Sequence, residues 1–78
     1  MKLIKEHSGE YKGEIIIDGI KIILKVSSLE GRGFTFSYYA NGELVYDDGW
    51  YGLRLKDIKS GINNHIEHII EEYKQKNH

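Results

Sequence analysis

Two histidines near the C-terminus have the spacing of metal ligands. His65 and His68 are three positions apart, and on a helix this spacing can direct two imidazoles at one metal ion. Two ligands do not complete a site, and the sequence gives no position for His7 or His78 that would add to them. On the predicted helix His65 lies at the edge of the apolar stripe and His68 outside it. We therefore interpret them as one boundary and one solvated histidine, and predict no metal and no cofactor.

Asp47 and Asp48 are adjacent carboxylates, and neighbouring acids can shift each other's pKa and divide the roles of acid and base. Consecutive strand residues point to opposite faces, so these two would not converge. We interpret them, with Gly49, as a turn. The chain has no Gly-x-Ser-x-Gly motif, no glycine-rich phosphate loop after a strand and no cysteine, and these are the usual signatures of nucleotide and nucleophile chemistry. The sequence predicts no enzyme.

Aromatic residues form the more informative group. Tyrosine and tryptophan combine a large apolar area with a polar group and are enriched at protein contacts. Those outside the predicted core, together with Leu44, mark a partner-binding surface, which consists of Tyr39, Leu44, Tyr46, Trp50 and Tyr51. The partner is either another protein or a second copy of the chain. The alternative is structural: Trp50 caps the open end of the core and the tyrosines are ordinary cross-strand pairs.

Nucleic acid is the competing class of partner. Aromatic side chains on a sheet can stack on bases, and Lys12, Lys21 and Lys25 share one face of the first predicted hairpin. Glu14 interrupts this group, and 11 basic against 12 acidic residues give a net charge of −1. A protein that depends on a strong positive field is therefore disfavoured.

The first hairpin is predicted by its turn. Asp18 and Gly19 suit a type I′ turn, which needs positive φ at both central positions. Pairing across it puts apolar residues of both strands on one face, so the turn and the alternation select the same register. The predicted pairs are Ile17 with Ile20, Ile15 with Ile22, Gly13 with Leu24 and Tyr11 with Val26.

The second hairpin follows from Asn41 and Gly42, the strongest short turn signal in the chain. Its strands are predicted at Phe34–Ala40 and Glu43–Asp47. The predicted pairs are Ala40 with Glu43, Tyr39 with Leu44, Tyr38 with Val45 and Ser37 with Tyr46. This register places Phe34, Phe36, Tyr38, Ala40 and Val45 on the core side, and Thr35, Ser37, Tyr39, Leu44 and Tyr46 on the outer side. Ser27 to Gly33 is predicted as a flexible connection, and Met1 to Lys5 as a further edge strand.

The C-terminal segment has a helical period. Seven apolar residues recur at three- and four-residue steps, which places them within one stripe: Leu55, Ile58, Ile62, Ile66, Ile69, Ile70 and Tyr73. Trp50 to Leu53 is predicted as a turn or short strand before it, and Gly61 suggests a close approach of the helix to the sheet. The predicted fold is α+β, a four-stranded antiparallel meander with one amphipathic helix packed on one face.

The whole chain, residues 1–78, is predicted to be one domain. Its apolar stretches are too short to span a bilayer, and the absence of cysteine fits a reducing compartment, so we expect a cytoplasmic protein. Twelve isoleucines and nine lysines against two arginines suggest an AT-rich bacterial or phage gene. The expected function is a small protein-binding module, such as an accessory or inhibitor protein of a bacterium, phage or mobile element.

Overall fold

The computed structural model describes residues 1–76 and has five strands and one helix. The strands are β1 (Ile4–His7), β2 (Glu10–Ile17), β3 (Ile20–Ser28), β4 (Gly33–Ala40) and β5 (Glu43–Tyr51), and the helix is α1 (Leu55–Lys76). The strands form one antiparallel sheet in sequence order. The predicted α+β class, meander and C-terminal helix are thus confirmed. No helix among residues 1–76 is long and apolar enough to cross a membrane.

Three two-residue reversals connect β2 to β5. Each has positive φ at both central residues, 53° and 76° at Asp18 and Gly19, 53° and 78° at Glu30 and Gly31, and 49° and 85° at Asn41 and Gly42. The first and third are the predicted turns. The second replaces the predicted flexible connection with a turn in which the Arg32 N–H donates to the Leu29 carbonyl at 2.9 Å. Glutamate seldom adopts positive φ, so this turn carries a weaker sequence signal.

The N-terminal strand lies later than predicted. β1 spans Ile4–His7, with an irregularity between Lys5 and His7, and Met1 and Leu3 instead pack over Gly13. A Cβ atom at Gly13 would lie 2.7 Å from Met1 Sδ. The glycine therefore leaves space on the sheet that the two N-terminal side chains fill, which takes Met1 out of the strand.

The first hairpin has the predicted register, but the second leaves its predicted register after two pairs. Tyr39 lies opposite Leu44 as predicted, whereas Tyr38 lies opposite Tyr46 rather than Val45. Val45 is the extra residue of a β-bulge. One extra residue exchanges the faces of all side chains that follow it. The pairing of Ser37 with Tyr46 is therefore wrong, and Ser37 lies opposite Asp47.

The turn predicted at Asp47, Asp48 and Gly49 is also wrong, because β5 continues to Tyr51. Gly49 lies opposite Thr35, and a Cβ atom on it would lie 2.7 Å from Thr35 Cα and 2.8 Å from the Phe34 carbonyl oxygen. This glycine marks a close approach of two strand backbones rather than a reversal of the chain.

The core lies between α1 and one face of the sheet, here called the helix face; the opposite side is the outer face. The buried residues are Ile20, Ile22, Leu24, Val26, Phe36, Tyr38 and Ala40 from the sheet, and Ile58, Ile62, Ile66, Ile69 and Ile70 from α1. Phe34, Val45, Leu55 and Tyr73 pack against them, partly buried. The predicted core side of both hairpins is confirmed except for the face exchange after Val45.

Both ends of α1 are fixed by polar contacts. At its start the Arg54 N–H donates to Asp57 Oδ2 at 3.0 Å, as in half of a capping box. At its end, ion pairs join Lys74 to Asp18 at 3.3 Å and Lys76 to Glu43 at 2.8 Å. The helix therefore runs across the sheet from the end of β5 to the turns of both hairpins.

Candidate functional site

The five predicted partner-binding residues lie on both faces of the sheet. Tyr39, Leu44 and Tyr51 are on the outer face, and Tyr46 and Trp50 are on the helix face because of the bulge. The prediction that Tyr39, Leu44 and Tyr46 share the outer face is wrong for Tyr46. Four of the five belong to β5, and their exposed fractions are 46% for Leu44, 38% for Tyr46, 50% for Trp50 and 70% for Tyr51.

The outer face carries a short apolar row. Ile23 pairs with Tyr39, which pairs with Leu44, so the row crosses β3, β4 and β5. Lys25 lies beside it, with Nζ 5.2 Å from the centroid of the Tyr39 ring, a cation–π distance. This side of the sheet has no helix over it among the described elements.

The three lysines of the nucleic-acid hypothesis are on the outer face, as predicted. Lys12 and Lys25 lie opposite each other, while Lys21 makes an ion pair with Glu14 at 3.2 Å. Thus Lys21 is neutralised by a carboxylate and Lys25 is placed over a tyrosine ring. The group does not extend across the sheet, since Lys25 is followed on β4 and β5 by Ser37 and Asp47.

On the helix face, α1 leaves part of β5 uncovered, and a groove runs between them. We call it the β5–α1 groove. It consists of a cavity of about 220 Å³ near the start of α1 and one of about 360 Å³ further along. Its main lining residues are Phe36, Tyr46, Trp50, Asp57, Gly61, His65, His68 and Glu72. His65 contributes to both cavities and so lies where they meet.

Aromatic rings form the floor of the β5–α1 groove. The Phe36 ring lies 6.2 Å from Trp50, 6.1 Å from Tyr46 and 5.8 Å from His65, measured between centroids. The Tyr38 hydroxyl lies 3.4 Å from His65 Nδ1. Aromatic pairs at such separations add to the stabilisation from burial alone, so the floor is a packed surface.

Gly61 opens the wall of this groove. The sequence suggested a close approach of α1 to the sheet at this glycine, but a Cβ atom there would meet only His65 Cε1, at 3.9 Å. That interpretation is wrong. The missing side chain instead leaves room between α1 and Trp50, within the smaller cavity.

Carboxylate side chains surround the β5–α1 groove and make its electrostatic environment negative. Asp57 and Glu72 line it from α1, and on β5 the Tyr46 hydroxyl donates to Asp48 Oδ2 at 3.2 Å. Burial raises the pKa of Tyr46, and Asp48, Glu72 and Asp47 raise it further. Burial also raises the pKa of Tyr38 to about 12, with a contribution from Tyr46. The hydroxyl groups of both tyrosines are thus protonated near pH 7.

β5 is an edge strand, and its outward backbone groups can be assigned. The Gly52 N–H donates to the Arg32 carbonyl at 2.7 Å, so Gly33 and Tyr51 form a non-hydrogen-bonded pair of the β4–β5 ladder. Such pairs alternate with hydrogen-bonded pairs. The N–H and C=O groups of Asp47, Gly49 and Tyr51 therefore point away from β4, towards the open edge.

One of these outward groups already has a partner. The Gly49 N–H donates to Asp48 Oδ1 at 2.7 Å. The Asp48 carboxylate thus bridges the Gly49 N–H at the open edge and the Tyr46 hydroxyl at the groove. A charged side chain on an edge strand is one means by which proteins protect that edge from pairing with another chain.

The described histidines and the paired carboxylates differ in their position relative to the groove. His65 is half-buried and His68 exposed, as predicted, and both line the larger cavity. Among residues 1–76 no three His, Asp or Glu side chains are grouped closely enough to hold a metal ion. His7 is exposed on β1, and His78 lies outside the described residues. Asp47 and Asp48 point to opposite faces, as their adjacency on a strand requires.

Sequence reasoning missed the contributions of Phe36, Gly61, His65 and Glu72 to the groove. A signal for α1 was present, because Asp57, Gly61, His65, His68 and Glu72 recur at steps of three or four beside the apolar stripe. No protein-family model, curated protein or solved structure matches the chain in comparisons of sequence and structure.

Proposed function

We propose that this protein is a non-enzymatic binding module whose partner is an extended segment of a protein lying along β5. The observation that carries the proposal is the concentration of exposed apolar side chains on this edge strand. Of the six large hydrophobic residues that are exposed among residues 1–76, four belong to β5: Leu44, Tyr46, Trp50 and Tyr51. Apolar side chains so grouped are typical of binding surfaces.

The position of β5 favours an extended partner. Its outward N–H and C=O groups can pair with an added strand, and its side chains alternate between the two faces. Strand addition uses main-chain hydrogen bonds for affinity and side-chain pockets for specificity. Leu44 and Tyr51 would contact such a segment on the outer face, and Tyr46 and Trp50 on the helix face.

Nucleic acid is less well supported by the same surface. The exposed aromatic residues Tyr46 and Trp50 stand next to Asp48, Asp57 and Glu72, and carboxylates repel a phosphate backbone. The lysines lie on the outer face of β2 and β3, away from the open edge. The aromatic and basic groups therefore do not combine into one binding track.

Site-directed photocrosslinking tests the proposal. A photoreactive benzoylphenylalanine replaces Tyr51 in the full chain. In a matched control it replaces Glu67, which is exposed on α1, about a third of a turn from the centre of its apolar stripe. Both proteins are irradiated in extract of the source cells, with and without nuclease, and the adducts are identified by mass spectrometry.

We expect one discrete protein adduct from position 51, unchanged by nuclease and absent from position 67. The crosslinked peptide of the partner should map to a single extended segment. Adducts that disappear with nuclease, or the same adducts from both positions, would contradict the proposal.

A further inference from the structure

We infer that the partner segment carries a cationic side chain directly opposite Asp48, and that arginine fits this position best. This inference rests on the proposed function and specifies the chemistry of its partner. Three observations support it: Asp48 occupies an outward backbone donor of β5, the groove beside it is floored by aromatic rings, and further carboxylates line that groove.

The first observation concerns what an added strand must displace. A partner carbonyl can bond the Gly49 N–H only after Asp48 Oδ1, now 2.7 Å from that nitrogen, moves away. The carboxylate then loses one of its two donors. A neutral partner residue would leave the Asp48 carboxylate without a full replacement for this hydrogen bond. A cation opposite Asp48 supplies a stronger one, because hydrogen bonds between charged groups are stronger than those between neutral groups.

The geometry of strand addition brings the replacement to the correct place. Gly49 would form a hydrogen-bonded pair with the partner, so Asp48 would lie in a non-hydrogen-bonded pair, in which opposite side chains are closest. The partner residue opposite Asp48 would project to the helix face, as Tyr46, Asp48 and Trp50 do. Its side chain would therefore enter the β5–α1 groove.

The groove suits a planar cation. A guanidinium group stacks on aromatic faces and pairs with carboxylates, and the groove offers the exposed ring of Trp50 and the half-buried ring of His65. Asp57 lines the smaller cavity and Glu72 the larger one. The smaller cavity, of about 220 Å³, is bounded on the helix side by Gly61, whose lack of a side chain admits a long residue.

A second copy of the chain is a poorer occupant of this edge. Antiparallel pairing of two β5 strands about their middle residue, Asp47, would set each Asp47 opposite its own copy and bring the two Asp47–Asp48 pairs together. Like charges directly opposite each other destabilise a strand pair. A basic segment of a different protein has the complementary charge.

Two matched peptides test the inference on the full chain. Both are extended, blocked sequences of alternating threonine and valine; one has a central arginine and the other a central citrulline, which has nearly the same shape but no charge. Binding is followed by the nitrogen–proton NMR signal of the Trp50 indole and the backbone signal of Gly49. We expect the arginine peptide to shift both signals and to bind about tenfold more tightly than the citrulline peptide.

Two variants of neighbouring residues locate the charge effect. Asp48→Asn keeps an oxygen acceptor for Gly49 but removes the charge, and should reduce the preference for arginine to about twofold or less. Asp47→Asn removes a charge from the outer face of the same strand and should retain most of the preference. Equal preference in both variants would show general charge attraction and overturn the inference.

The outcomes separate this inference from the proposed function. Equal binding of the two peptides, or no shift of the Trp50 signal at millimolar peptide, overturns the inference that the partner carries a cationic residue opposite Asp48. The proposed function still stands if position 51 crosslinks to a protein segment. Both fail if crosslinking finds no protein and a ten-nucleotide oligothymidylate shifts the Trp50 signal instead.

Discussion

Tyr38 is the residue at which the core and the β5–α1 groove meet. It is one of the largest fully buried side chains, it pairs with Leu24 on β3 and Tyr46 on β5, and its hydroxyl lies 3.4 Å from His65 Nδ1. A phenolate at this place would be surrounded by apolar groups and would lie near Tyr46, which is why its pKa is raised to about 12.

This raised pKa predicts a loss of stability at high pH. An unfolded tyrosine loses its proton near pH 10, so between pH 10 and about 12 the folded chain holds a proton that the unfolded chain has released. The stabilising contribution is complete below pH 10 and declines above it, by at most about 1.4 kcal/mol per pH unit. Urea unfolding of the parent and of Tyr38→Phe from pH 8 to 11.5 measures it.

The difference in unfolding free energy between these two proteins should be constant up to pH 10. Above pH 10 the parent should lose stability relative to Tyr38→Phe. Ionisations that are the same in both proteins cancel in this difference. Parallel curves across the whole range would show that Tyr38 ionises in the folded chain as easily as in the unfolded one.

Among the elements, β5 is the one whose side-chain orientation depends on a β-bulge, which the turn signals of the sequence do not predict. Turn chemistry and alternation predicted the first hairpin completely and the second hairpin at its first two pairs. The bulge at Val45 then moved Tyr46 and Trp50 to the helix face, and with them half of the candidate site. The consecutive apolar residues Leu44 and Val45 are consistent with a bulge, but short-range patterns do not distinguish one from a regular strand.

The groove could not be predicted from either element alone. Trp50 and Tyr51 were identified by residue type, since aromatic residues outside the core indicate contacts. The groove also needs α1 to pack on the helix face and to leave part of β5 uncovered, and this placement depends on tertiary packing. Gly61 shows most clearly why the sequence does not predict the groove. A glycine on a helix is equally consistent with close packing against the sheet and with an uncovered space beside the helix.

Two glycine substitutions distinguish close strand packing from an open wall. Gly49→Ala places a Cβ atom 2.7 Å from Thr35 Cα, where only a backbone shift can relieve the contact, so we expect a loss of about 1–3 kcal/mol in the free energy of unfolding. Gly61→Ala meets only His65, at 3.9 Å, and should gain up to about 1 kcal/mol from helix propensity.

Urea unfolding monitored by circular dichroism measures both variants. The same chemical change is made in each, so the opposite signs come from the positions. A stable Gly49→Ala protein, or a destabilised Gly61→Ala protein, would contradict the assigned packing of β4 on β5 or of α1 over the groove.

At the scale of the whole molecule, the sheet and the helix depend on each other. The sheet follows the order of the sequence, so its strand contacts are formed by successive hairpins, and only α1 returns to cover strands that precede it. Without α1 the sheet would expose Ile22, Leu24 and Tyr38, and without the sheet a helix of 22 residues with polar faces is at most marginally stable in water.

This mutual dependence predicts one cooperative unfolding transition and one folding phase. Far-ultraviolet circular dichroism at 222 nm follows mainly α1, and fluorescence follows Trp50, the single tryptophan, whose ring lies 6.2 Å from Phe36. Because the core consists of residues from both elements, the two signals should give the same urea midpoint. The sequence contains no proline, so stopped-flow refolding should lack the phase of tens of seconds that proline isomerisation produces. Loss of the helical signal at lower urea than the Trp50 signal would show that α1 detaches from a sheet that stays folded, and the β5–α1 groove would then open before the protein unfolds.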